Sequence, residues 1–96
     1  MAARPTFTRA EAREIGEAIE LDFEVAEFDL SEFVRGLHVE LEHGSGDPRT
    51  DVTHDDPLVT GKIAWAHLIE FPDYYTRLEL MEKVADAEWA TRRRAT

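Results

Sequence analysis

Glu40 and His43 stand three residues apart in the stretch Val39–Gly44 (VELEHG). His67 and Glu70 repeat that spacing in Lys62–Leu78 (KIAWAHLIEFPDYYTRL), where Pro72 and the adjacent pair Tyr74 and Tyr75 follow. On a helix, positions i and i+3 share a face, so two antiparallel helices carrying these pairs can bring all four side chains to one point. Two imidazoles and two carboxylates are a sensible donor set for a mononuclear zinc, iron or manganese site, with a tyrosine hydroxyl orienting an outer oxygen. A dinuclear carboxylate site takes Glu-x-x-His from two helices, and only one copy in that direction is present. The same residues also form a coherent network with no ion, each histidine held by a carboxylate and the hydroxyls satisfying what is left. The candidate cluster is therefore Glu40, His43, His67, Glu70, Tyr74 and Tyr75. Its network reading is the expected one and calls for no cofactor; the alternative is a metal site made by Glu40, His43, His67 and Glu70.

Little else in the chain points to chemistry. Neither Ser31 nor Ser45 has a base near it in sequence, and the glycines of GSGDP lack the strand and lysine of a phosphate loop. The aspartates between Gly44 and Asp56 do not match the ligand spacing of an EF-hand, and His54 reads as an exposed loop residue. No catalytic motif is present, so an enzyme is not the expected reading.

Helical elements must position the cluster. Thr8 and Glu11 have the spacing of a capping box, which starts a first helix with Ala12, Ile15, Ala18 and Ile19 as its apolar stripe. Gly16 inside it suggests a close packing contact. Leu21 to Val25 alternates in polarity but has no strand to pair with, and is read as the end of that helix and a connection. Asp29 and Glu32 predict a second capping box, and Phe28 and Phe33 a hydrophobic staple. Phe33, Leu37 and Leu41 form the stripe of the second helix, with Glu40 on the same face and Gly44 as its left-handed C-terminal residue. The 44–56 stretch is a long loop, with a turn at Asp47-Pro48. Asp56 and Pro57 begin a third helix reaching about Phe71, with Ile63, His67, Glu70 and Tyr74 on one strip and Ala64 and Ala66 marking a close contact. Pro72 should break or kink it and open a fourth helix, with Tyr74, Leu78, Met81 and Ala85 inward and an end near Trp89.

At 96 residues with 43% hydrophobic content, the chain is expected to fold as one domain, with residues 1–7 and 91–96 as flexible ends. Cysteine is absent, so thiolate metal sites and disulfides are excluded. The formal net charge of −10 disfavours nucleic acid and anionic membrane as partners. Neither a signal-like apolar core at the N-terminus nor a run of about 18 apolar residues is present, so a soluble, cytoplasmic protein is expected.

Phe33 to Gly44 (FVRGLHVELEHG), Asp51 to Thr53 (DVT) and Thr60 to Glu82 (TGKIAWAHLIEFPDYYTRLELME) resemble a widespread small family of bacterial and phage proteins of unknown function. Its pattern is ELEHG, a loop, then a helix reading IA-x-x-HL-x-E-x-P-x-YY-x-x-L. Glu40, Glu42, His43, His67, Glu70, Pro72, Tyr74 and Tyr75 match it, while residues 1–28 fall outside the resemblance. The resemblance implies a small, mostly helical module and assigns no catalytic residue. The expected architecture is an all-α bundle of about four helices, the last two joined by a proline kink. The expected function is a binding or interaction module, accessory or virion-associated, with a protein partner or self-association.

Overall fold

A computed structural model describes residues 6–95. It is all-α, with helices α1 (Arg9–Ala18), α2 (Leu30–Glu40), α3 (Pro57–Glu70) and α4 (Tyr74–Ala95) and a short 3-10 turn at Leu41–His43. The polar start signals work as the chemistry of unpaired helix N–H groups demands. Thr8 and Glu11 form the full reciprocal capping box, and Asp56 accepts from the backbone N–H of Leu58 and Val59 with Pro57 in the first turn. Asp29 caps α2 by accepting from the Glu32 N–H. The predicted second half of that box is not made. The Glu32 carboxylate turns instead to α4 and accepts from the Thr76 hydroxyl at 2.6 Å and its N–H at 3.2 Å. The staple is formed, the Phe28 and Phe33 rings stacking at 6.5 Å.

α2 lies at the centre and packs on the other three helices. Ala12, Ile15 and Ile19 from α1 and its end, Phe28, Phe33 and Leu37 around α2, Ala64 and Leu68 of α3, and Tyr75 of α4 make the core. Gly16 packs against the Phe23 ring, the close contact its position suggests. Ala18 and Ala66 face out, so the inward stripe of α1 runs through Gly16 and that of α3 through Thr60, Gly61, Ala64 and Leu68. The alternating segment after Leu21 is connection only, because α1 has already ended at Ala18.

Three boundaries differ from the sequence reading. Gly44 is extended (φ −102°, ψ −154°), not left-handed. Its missing Cβ makes room for the Asp55 carboxylate, which accepts from the Ser45 N–H and hydroxyl. The left-handed residues of the loop are His54 and Asp55, pinned by Asp51, which accepts from the His54 N–H at 2.7 Å. Pro72 sits in a three-residue connection rather than at a kink: Phe71 is extended (φ −142°) and α4 opens at Tyr74. A chain that has left helical geometry before the proline has no continuous axis to bend. α4 then runs on to Ala95, past the expected end near Trp89. Beyond Leu78 every described side chain of α4 is exposed except Ala85 and Ala90, so Met81 does not pack inward. Of the ends expected to be flexible, residues 1–5 and 96 lie outside the described residues. Phe7 is tied to α2, its N–H donating to His38 Nε2 at 3.0 Å.

Among the helical glycines the closest approach is that of α4 to α2 at Gly36. A Cβ built on Gly36 would lie 2.5 Å from Cε2 of Tyr75, a ring with only 1% of its surface exposed. Gly36→Ala gains up to about 1 kcal/mol of helix propensity but drives a methyl into a ring that has nowhere to go. Net destabilisation of about 1–3 kcal/mol is expected from urea melts. Gly46→Ala, with open space around the added atom, should stay within about 0.5 kcal/mol of the parent.

Candidate functional site

The cluster is built around Glu40. The last turn of α2 carries it inward to 3% exposure, where its Oε2 accepts a 2.7 Å hydrogen bond from the Tyr75 hydroxyl of α4. His67 of α3 brings Nε2 to 3.7 Å from the same oxygen, and His43 on the 3-10 turn brings Nε2 to 3.5 Å from Oε1. Those two separations exceed hydrogen-bond length, so both imidazoles stand beside the carboxylate without bonding to it. Tyr74 stacks its ring on His67 at 4.4 Å and meets Tyr75 edge-on at 5.0 Å. The structure thus gathers Glu40, His43, His67, Tyr74 and Tyr75 into one contact shell.

Glu70 stands apart. Its side chain is 64% exposed and it approaches His67 from the Nδ1 side, at 3.7 Å. The two carboxylates therefore address opposite nitrogens of one ring, which separates them as ligands for a single ion. Among the described residues no group of three or more His, Asp or Glu is placed to hold a metal. The cluster grades from closed to open: Glu40 and Tyr75 are buried, the His67 side chain is 33% exposed and that of His43 55%. Burial, and then the Glu40 carboxylate at its hydroxyl, push the Tyr75 pKa well above the usual phenol range.

The backbone closes the site from behind. The His43 carbonyl accepts from the N–H groups of Val52 (2.7 Å) and Thr53 (3.2 Å), which ties the long loop to the end of α2. ELEHG and DVT, separate in sequence, meet there. His54 stays outside, its side chain 83% exposed and its Nδ1 3.0 Å from Asp51. Two polar contacts of α2 are among those that spacing along the chain does not announce. Glu32 on Thr76 is visible only once α2 and α4 are side by side. His38 was passed over because it follows no pairing pattern; its Nδ1 lies 3.0 Å from the Val34 carbonyl and its Nε2 accepts from Phe7, which calls for the neutral tautomer with the proton on Nδ1.

Residues 12–84 match the model of a family described as "Protein of unknown function (DUF5661)". The match begins inside α1, so the first helix belongs to the shared domain, where the sequence resemblance had left residues 1–28 outside. No curated protein and no solved structure matches the chain. Among the described residues no helix is long and apolar enough to cross a membrane.

Tyr75→Phe keeps the packed ring and leaves Glu40 buried without its donor, so a loss of about 1.5–3 kcal/mol is expected in urea melts. Glu70→Ala should change stability by no more than about 0.5 kcal/mol, since its carboxylate is in solvent. The sign with pH follows from the raised Tyr75 pKa. The folded state keeps its phenol protonated while the unfolded chain ionises near pH about 10. Its contribution is complete below that pH and is lost as pH rises beyond it. The stability gap between the parent and Tyr75→Phe should therefore narrow between pH 9 and 11; a gap constant across that range would show that Tyr75 titrates normally.

Proposed function

Because this chain belongs to the DUF5661 family, whose function is unknown, its role has to be read from its own surface, and we propose that it is a small helical interaction module that binds a protein along the projecting part of α4. One observation carries the reading. Leu80, Met81, Val84 and Trp89 are 59%, 56%, 60% and 55% exposed on a helix whose described polar contacts with α2 lie in its first turns. Apolar side chains gathered on one exposed element mark a contact surface more often than an idle one. Trp is also among the residues that carry most binding energy when covered.

In this reading the Glu40 cluster is the anchor. Tyr75 on Glu40, Thr76 on Glu32 and Arg35 on Glu79 (2.9 Å) hold the start of α4 to α2. The remaining turns are thereby presented at a set angle instead of swinging free. The formal charge of −10 favours a protein surface over a polyanion as partner. A photo-crosslinking residue at Val84, in the full chain expressed in its native cells, should give a discrete product of defined mass. The same residue at Glu17, on the exposed side of α1, should give none. Absence of a product from Val84, or equal labelling from both positions, would sink the reading.

A further inference from the structure

Resting on that interaction reading, we infer that the partner is a second copy of this chain, joined antiparallel, α4 against α4, about a twofold axis. One stripe of side chains runs along α4. Tyr74, Leu78, Met81, Ala85 and Trp89 recur at spacings of four, three, four and four, the rhythm of a seam between helices. Tyr74 and Leu78 touch the domain's own core on one side and line an open groove on the other. At its beginning the stripe borders a shallow groove of ≈ 270 Å³ lined by Phe71, Tyr74, Arg77, Leu78 and Met81. Phe71 is 56% exposed there, an aromatic ring without cover. At the other end stands Trp89, with the Arg92 guanidinium 5.1 Å from its ring centroid. Groove and aromatic anchor thus lie at opposite ends of the same helix.

A twofold, antiparallel copy makes these two features meet twice. With Leu78 facing the Ala85 of the other copy, each Trp89 comes opposite Tyr74 and over the groove. Ala85 is small enough to let the helix axes approach. Such an interface is isologous: the same patch serves both sides. Charge selects the same arrangement. Asp73, just before α4, and Glu79, Glu82, Asp86 and Glu88 on it stand against Arg77 and Lys83, whereas Arg92, Arg93 and Arg94 close the helix. Antiparallel alignment lays the arginine end of one copy beside Glu70 and Asp73 of the other, whose side chains are 64% and 52% exposed. A parallel pair would stack the six arginines of both copies together and leave both grooves empty.

Sedimentation equilibrium of the full chain, from micromolar to submillimolar concentration, tests this. A reversible dimer is expected. Trp89→Ala, which removes nothing from the core, should weaken it at least about tenfold while circular dichroism and the melt of the dilute protein stay unchanged. The triple variant Arg92→Glu/Arg93→Glu/Arg94→Glu and the double variant Glu70→Arg/Asp73→Arg should each self-associate poorly, and mixing the two should restore a heterodimer. A chain that stays monomeric throughout overturns the inference, as does a dimer indifferent to Trp89→Ala or a charge-swapped mixture that stays apart. A monomer that still crosslinks a different protein at Val84 rejects the second copy while leaving the interaction reading intact. A monomer with no crosslink ends both.

Discussion

The Tyr75 side chain lies against the bare backbone of Gly36 and donates its hydroxyl to Glu40, one helical turn further along α2. Both halves of that contact are needed. The glycine lets the ring come close enough for the phenol to reach the carboxylate, and the carboxylate gives a buried hydroxyl its partner. The same bond satisfies Glu40, whose burial would otherwise leave a carboxylate without a donor. Removing either group strands the other, which is why the attachment of α4 depends on so few atoms.

From that contact the arrangement of the site follows. Fixing Tyr75 sets the start of α4, and the neighbouring Tyr74 then covers the His67 ring of α3. His43 comes to the other oxygen of Glu40 because α2 tightens into a 3-10 turn before leaving the helix. The loop is held to that turn through the His43 carbonyl, and its left-handed pair His54–Asp55 is kept by Asp51 and Ser45. The result is a polar joint between three helices, closed on the core side and open on the histidine side.

The joint also explains how so long a helix can carry so little of the core. α4 has 22 residues, yet among its described side chains only Tyr75 is buried. Its anchoring is local, through the Tyr75 ring in the core with Tyr74 and Leu78 beside it and through the polar contacts to Glu40, Glu32 and Arg35, so the later turns are under no requirement to fold back on the domain. Leu80, Met81, Val84 and Trp89 are left outside for that reason. A helix of this length whose apolar side chains stay uncovered is suited to meeting another surface.

How much of this was legible beforehand divides along physical lines. Helix starts depend on side chains bonding to backbone three residues away, so Thr8, Asp29 and Asp56 announced three of the four helices, and the staple of Phe28 and Phe33 was readable for the same reason. All-α architecture likewise follows from spacing along a helix, and the same spacing puts each Glu/His pair on one helix face. What spacing leaves undetermined is which of two acceptors a side chain will choose once helices are adjacent. Glu32 had its own cap within reach and took Thr76; Gly44 suited a left-handed turn and instead made room for Asp55. Glu70 shares a helix face with His67, but in the packed structure that part of the face lies in solvent and Glu40 stands at the other ring nitrogen. Likewise Met81 has the register of a core residue, and only the direction in which α4 leaves the domain decided that no core is there for it to join. Local hydrogen bonding and periodicity are properties of the chain; the choice among competing partners belongs to the packed helices, because distance between elements exists only after they have packed.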